Sequence, residues 1–571
     1  LRKDLVEIKK VKSPTKKSPF VQYLKIGSLK MKNNISYLDK FPYPSIRDQQ
    51  QLAIDFSIKS LINDNKKFCI IEAGTGVGKS AIGLTLARVL ADTPAAGKET
   101  TPGSYFLTTQ KILQDQYESD FNGMVSLKSS VNYKCSYHKK NTCSESQALL
   151  RTEEKGTRFF NSCAFNCVYK KRKEKFLESR ESITNFPYFL TEAGYSGKIT
   201  KRHVLVIDEA HNVESELSRF VEISVSAHFA RNLLNLKFPE KPTQYRVFRW
   251  IVDTYLPAIC RKISHIERMI EQFGGEKFRQ KLSQFQKITR QLDLLSSHRT
   301  KIENFVQMYN SENWVFDISR TGHRGSLRAT FKPIDVSPYA EESLFCLGEK
   351  VIMMSATIMN KQAFCQTLGI DENDCGFITI PSPFEVKNRP VIFSPVGSMS
   401  AKNIDKTLPQ LSKAVREIMD HHKGEKGIIH CKTFKIAHYI KNNVKSDRFI
   451  IHDSTNRDEM LSKHMKSKKD TVLLSPSMTE GVDLKDDTSR FQVICKVPFP
   501  YLGDKLVKKR MNKFPRWYNL QTAKTIVQSA GRSVRNKDDH AVTYILDGDF
   551  ERFLKNNRDL FPKDFLECLV G

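Results

Sequence analysis

The period of apolar and polar positions changes several times along the chain, and each change marks an element. Phe68 to Ile71 is a short apolar run that predicts a buried strand, and Ala81 to Leu90 after it reads as a helix. Phe106 to Gln116 reads as a strand ending in hydroxyl and amide side chains, then a helix. Further apolar runs predict strands at His203 to Ile207, Val351 to Ile358, Gly427 to Cys431, Val472 to Ser475, Val493 to Val497 and Val542 to Leu546. Between 224 and 330 the strand runs give way to helical spacing. Ile259, Ile263, Ile266 and Ile270 form one stripe, and Phe285, Ile288, Leu292 and Leu295 form a second beyond Gly274-Gly275. This predicts a helical hairpin inserted into an α/β unit whose sheet resumes at Phe331, with a second α/β unit in the last two hundred or so residues. Pro381-Ser382-Pro383 marks the hinge between them.

Length and charge narrow the class. At about 150 residues per domain, 571 residues make three to five domains. Lys and Arg number 92 against 63 Asp and Glu, a formal charge of +29, which suits a polyanionic partner, although a merely basic soluble protein has the same balance. No apolar stretch approaches the roughly 20 residues of a membrane span, and no signal-peptide pattern opens the chain. The expectation is therefore an intracellular protein, cytoplasmic, nucleoid or nuclear, that is neither secreted nor membrane-bound. Residues 1–40 carry Lys9, Lys10, Lys12, Lys16 and Lys17 among Ser and Pro without periodicity, and read as a disordered basic tail.

The chemistry begins at the strand-to-helix turn. Ala73, Gly74, Thr75, Gly76, Val77, Gly78, Lys79 and Ser80 form a glycine-rich loop whose backbone N–H groups, helped by the helix dipole, can hold a triphosphate. Lys79 would neutralise the outer phosphates, and the Ser80 hydroxyl would join a magnesium shell. Ala73 stands where the general pattern wants glycine. Some twenty residues upstream, the Gln50 amide can both donate to and accept from an adenine edge, as can its neighbour Gln49; a solvated Gln is the plainer reading. At 208–211 the chain reads D-E-A-H at the carboxyl end of a strand, where open α/β sheets bind ligands. There Asp208 would hold the magnesium shell, and Glu209 would orient and deprotonate water. Ser355 and Thr357 end another strand with small hydroxyls suited to link a nucleotide pocket to bound nucleic acid, or simply to make a turn.

Cys135, Cys143, Cys163 and Cys167 place four of the twelve cysteines within 33 residues. Only the last two are spaced as a zinc pair, so an iron–sulfur cluster, zinc and unligated thiols all remain open on spacing. Lys170, Lys171, Arg172, Lys173 and Lys175 follow as a basic run. The second α/β unit has no phosphate loop of its own. It offers T-E-G-V-D with Asp483, and Q-S-A-G-R-S-V-R with Gln528, Arg532 and Arg535. The two arginines lie three apart on one helix face and can reach a γ-phosphate across a cleft. Lys505, Lys508, Lys509, Arg510, Arg516, Trp517 and Tyr518 add a basic, aromatic stretch compatible with a strand-binding groove.

Together these residues resemble superfamily-two helicases, and within them the iron–sulfur DinG and XPD family. The resemblance rests on A-x-T-G-x-G-K-S, N-Y-K-C, C-V-Y, T-N-F-P-Y-F-L, D-E-A-H, S-A-T, E-G-V-D and Q-x-x-G-R-x-x-R in family order, and it covers nearly all of 41–550. It implies an α/β fold with two RecA-like motor domains. The first would comprise 41–131, 169–223 and 331–385, interrupted by an iron–sulfur cluster domain at 132–168 and a helical arch domain at 224–330; the second would be 386–571. It also implies ATP and Mg2+ as cofactors, a [4Fe–4S] cluster on the four cysteines, and a monomeric motor moving 5′ to 3′ on single-stranded DNA to open forked DNA or DNA–RNA hybrids. The rival expectations are a translocase that strips proteins from a strand and a scaffold subunit with a vestigial motor. The family often carries an arginine within the stretch corresponding to Leu546-Asp547-Gly548-Asp549, which here holds acidic and small residues.

Overall fold

The computed structural model describes residues 36–74, 76–94, 100–147, 149–150, 156–272, 282–321, 325–453, 455–476, 484, 486–531, 533–534 and 538–570. Most of the basic tail therefore lies outside the described residues, as do Gly274 and Gly275.

Among the described residues, ten strands occupy the first two thirds of the chain: β1 (Phe68–Ala73), β2 (Thr101–Thr108), β3 (Val125–Ser126), β4 (Glu181–Asn185), β5 (Arg202–Asp208), β6 (Ile223–Ser226), β7 (Trp314–Thr321), β8 (Ser326–Pro333), β9 (Gly348–Ser355) and β10 (Cys375–Ile380). Seven make one parallel sheet in the order β10-β1-β9-β5-β2-β4-β3. β1 and β5 are buried along their whole length, which is why they appear in the sequence as continuous apolar runs rather than alternations. The remaining seven strands, β11 (Val391–Gly397), β12 (Gly427–His430), β13 (Phe449–Ile451), β14 (Val472–Ser475), β15 (Phe491–Ile494), β16 (Val542–Asp547) and β17 (Leu569–Val570), make a second parallel sheet ordered β13-β14-β12-β15-β16-β11-β17. Each sheet packs its own hydrophobic clusters beneath flanking helices.

Nine helices matter below: α1 (Asp48–Ile58), α2 (Lys79–Ala91), α3 (Lys111–Asp120), α4 (Val168–Glu178), α5 (Val213–Val221), α6 (Leu256–Gln272), α7 (Leu282–Met308), α8 (Lys505–Lys513) and α9 (Trp517–Ala530). α6 and α7 are the expected hairpin. Ile259, Ile263, Ile266, Leu292 and Leu295 are all buried, as the stripe demands.

Two expectations for this insertion need correction. It is not wholly helical, and the parallel sheet does not resume at Phe331. β6, β8 and β7 form a separate antiparallel sheet at its base, and Phe331 is part of β8. One face of that sheet packs against the hairpin: Trp314, Ala329 and Phe331 are buried, and Phe305 of α7 packs edge-on to Trp314 with ring centroids 4.9 Å apart. A half-covered sheet alternates with period two, a weaker pattern than an apolar run. Among the described residues no helix is long and apolar enough to cross a membrane.

One buried histidine sets a pH limit on the second sheet. His464 is fully buried, with Nε2 donating to the Thr488 carbonyl at 3.0 Å and Nδ1 2.9 Å from the Thr471 hydroxyl, and burial pushes its pKa down to about 4. The neutral ring is the folded form, so stability is full above the ordinary value near 6.5 and is lost as pH falls from there toward 4. That loss is about 2 kcal/mol between pH 7.5 and pH 5. Thermal unfolding of His464→Gln is expected to change less over this interval than that of the parent chain. Equal slopes would remove His464 as the cause.

Candidate active site

β1 ends at Ala73, which pairs with Ile380 in ordinary extended backbone, so its methyl group costs nothing at this position. The demanding positions come later. Gly76 and Gly78 have φ of +83° and +88°, and a Cβ on them would meet Phe384 at 2.3 Å and the Gln50 amide at 2.4 Å. The loop is thus clamped between the interdomain linker and α1. α2 starts at Lys79, whose Nζ donates to the Ala73 carbonyl at 3.3 Å, folding the ammonium back over its own loop. The Gln50 Oε1 accepts the Arg47 N–H at 3.1 Å, whereas Gln49 lines the cleft. Arg47 also donates to the Gly76 carbonyl at 2.7 Å.

β5 delivers Asp208 to the same end of the sheet. Its carboxylate accepts the Tyr117 hydroxyl at 3.0 Å and the Glu209 N–H at 2.9 Å. Tyr117, from α3, also hydrogen-bonds with Ser80, so one hydroxyl spans the two side chains expected to share a magnesium ion. Burial, then the Glu209 charge, push Asp208 up to about 6, while Lys79 and Tyr117 pull it back. A carboxylate held so reluctantly is suited to a divalent cation, which would supply the missing countercharge. Glu209 has φ of +52°, a left-handed turn that costs a non-glycine residue energy and breaks the strand there.

From Glu209 a polar chain crosses to α9 of the second α/β unit. The His211 Nδ1 lies 3.3 Å from the Glu209 carboxylate and 2.8 Å from the Ser355 hydroxyl; Ser355 accepts the Thr357 N–H at 3.1 Å; the Thr357 hydroxyl accepts from the Gln528 amide at 3.0 Å. Ser355, Thr357 and Gln528 are all buried. Thr357 lies two residues beyond β9 rather than within a strand, and the loop carrying it is pinned by the buried Glu72, which accepts the Met359 N–H at 2.6 Å. Tyr117 and His211 were missed in the sequence. The histidine was visible in D-E-A-H, but its partner, 144 positions away, was not.

Between the two sheets lies a cleft of about 1980 Å3, lined by Gly74, Lys79, Glu209 and Thr357 on one side and by Gln528, Gly531 and Val534 on the other. Thr75, Asp483, Arg532 and Arg535 fall outside the described residues.

The four cysteines come from two loops and two short helices. All are buried; the Cys143 and Cys167 sulfurs are 3.6 Å apart, and the Cys135 sulfur accepts the His138 N–H at 3.3 Å. Burial, then Cys167, push the Cys143 thiol up to about 12, with Cys135 and Cys163 acting in the same direction, so all four share one electrostatic pocket. Among the described residues no three His, Cys, Asp or Glu side chains meet closely enough to hold a single metal ion. Four converging buried thiols are the donor type that a thiolate-held metal group takes, iron–sulfur or zinc alike.

Two basic stretches are partly spent inside the protein. Arg172 donates to the Ser126 carbonyl and pairs with Glu118, and Lys173 pairs with Glu192. Arg510 and Trp517 are buried and both bond to Glu214 of the first α/β unit, which removes them from the proposed strand groove.

Two parallel α/β sheets facing each other across a cleft, with a phosphate loop and a D-E-A-H turn on one rim, define a pair of RecA-like domains. Residues 44–238 match the family model described as type III restriction enzyme, res subunit, and residues 416–567 match the helicase C-terminal domain. The chain is 22% identical to the ATP-dependent DNA helicase YoaA of Escherichia coli, over 67% of this chain and 66% of that protein. It is 25% identical to the ATP-dependent DNA helicase DinG of Photobacterium profundum, over 38% and 34% respectively. A solved XPD helicase superposes with a TM-score of 0.60 at 15% identity, covering 91% of this chain and 99% of that one. These similarities support a DinG/XPD-like superfamily-two helicase.

Proposed function

We propose that the protein is an ATP-dependent helicase that moves 5′ to 3′ along single-stranded DNA and opens forked duplexes or DNA–RNA hybrids, as a monomer inside the cell. The observation that carries this reading is the hydrogen-bonded chain from Glu209 through His211, Ser355 and Thr357 to Gln528. It ties Glu209 on one RecA-like domain to Gln528 on α9 of the other. In this reading the loop from Ala73 through Gly74, Thr75, Gly76, Val77 and Gly78 cradles the phosphates and Lys79 neutralises them. Ser80 and Asp208 would hold magnesium, which when bound supplies Lewis-acid charge to the β- and γ-phosphates. Glu209 takes the proton of the attacking water. Gln528, Asp483, Arg532 and Arg535 complete the site when the cleft shuts, and its reopening shifts the two domains' grips on the strand. Cys135, Cys143, Cys163 and Cys167 would hold a [4Fe–4S] cluster that fixes the 132–168 segment as a domain. With the arch, that domain splits base pairs whose stacking is worth about 1.4 kcal/mol per step.

Direction is tested by comparing forks that bear only a 5′ or only a 3′ single-stranded tail. The 5′-tailed fork is expected to be unwound and the 3′-tailed fork left paired. The reverse preference would sink the polarity assignment.

A further inference from the structure

We infer that Arg510, Trp517 and Glu214 form a strut by which helix α8 positions the nucleotide cleft and the arch base together, an inference that rests on the motor reading above. α8 is strongly basic, yet Arg510 is 7% exposed and turned into the protein. Its guanidinium pairs with Glu214 at 2.7 Å and donates to the carbonyls of Ile334 at 2.9 Å and Pro333 at 3.3 Å, with Trp517 beneath it at 5.7 Å. The Trp517 indole N–H donates to the other Glu214 oxygen at 3.2 Å. One carboxylate of the first motor therefore holds two side chains of the second.

The place of this contact gives it its consequence. Glu214 lies five positions beyond Glu209, near the start of α5, and Trp517 is the first residue of α9, the helix that carries Gln528 toward its far end. α9 is thus fastened to the first motor twice, at Trp517 and, about 16 Å along its axis, at Gln528 on Thr357. Two attachments on a rigid helix set its rotation as well as its distance. A buried ion pair adds little net stability, but sliding it apart strands a charge away from water, so it permits few arrangements. α8 reaches the arch base by the same means: Arg510 holds the end of β8, Lys505 pairs with Asp317 of β7 at 3.1 Å, and Lys513 pairs with Asp335 just past β8 at 2.8 Å. Although the arch is inserted in the first motor, its base is thereby held by the second, and cleft movement carries it along. These three side chains are positioning residues and need not touch nucleotide.

The test uses the full chain. Arg510→Met alone leaves Glu214 buried without its ion-pair partner and is expected to lower the melting temperature. The double variant Glu214→Leu/Arg510→Met removes both charges and is expected to melt near the parent. Its single-strand-stimulated kcat is nevertheless expected to fall about tenfold with the KM for ATP unchanged within about twofold, and base pairs opened per ATP to fall further. Trp517→Phe, which removes only the indole donor, is expected to lower kcat about threefold with KM unchanged, and it decides the matter if the double variant does not fold. Parent-like kcat and unwinding in the folded double variant, or in Trp517→Phe, would overturn the strut. Absence of strand-stimulated hydrolysis in the parent chain would instead overturn the motor reading beneath it.

Discussion

Lys79→Ala is expected to reduce strand-stimulated ATP turnover by on the order of 100- to 1,000-fold while leaving single-stranded DNA binding largely intact. The Lys79 ammonium makes a long bond, 3.3 Å to a carbonyl of its own loop, and lies at the start of α2, so its removal is expected to cost the fold little. In the proposed reaction its electrostatic value belongs to the transition state, where negative charge builds on the transferring phosphoryl group. The clamps on the loop, Phe384 over Gly76 and Gln50 against Gly78, do not involve the lysine and should keep its shape. Parallel measurement of melting temperature, strand affinity and turnover separates these effects. Near-normal turnover in a folded Lys79→Ala chain would refute the site assignment.

The second large effect is expected at the cysteines. The parent chain should carry iron and acid-labile sulfide with broad visible absorbance, and Cys167→Ala should lose all three, along with most fork unwinding. Cys167 is the N-cap residue of α4, and the buried Tyr169 and Phe176 of that helix pack into the core of the first motor; the Tyr169 hydroxyl lies 2.8 Å from that of Tyr188. Loosening the cysteine pocket therefore releases the helix that ties it to the motor, whereas Lys79 starts α2 and Asp208 and Glu209 stand at the end of β5, on elements that carry none of the four cysteines. Strand-stimulated hydrolysis is accordingly expected to survive better than unwinding. A colourless parent holding one zinc would overturn the cluster assignment.

The parts of the site legible in the sequence are those whose chemistry needs neighbouring residues. A phosphate loop uses consecutive backbone N–H groups, and a D-E-A-H turn hangs two carboxylates on one strand end, so both leave a local signature. β1, β5, β12 and β14 were legible because burial on both faces leaves unbroken apolar runs. The base of the arch was not, because a sheet covered on one face yields an alternation easily lost between long helices. Arg510 misled for a related reason: beside Lys508 and Lys509 it has the composition of a nucleic-acid surface, and nothing local reveals that Glu214, almost three hundred positions earlier, lies against it.

The sequence by itself determined the α/β class and most strands of the two parallel sheets, since these follow from the period of burial. The tertiary structure decided what holds the parts to one another: Tyr117 between Ser80 and Asp208, the polar chain from Glu209 to Gln528, and the Arg510 strut. The long-range links among them join side chains from 37 positions apart, Tyr117 to Ser80, to 303, Trp517 to Glu214. Their strength depends on burial and a few tenths of an ångström, which no one-dimensional pattern records.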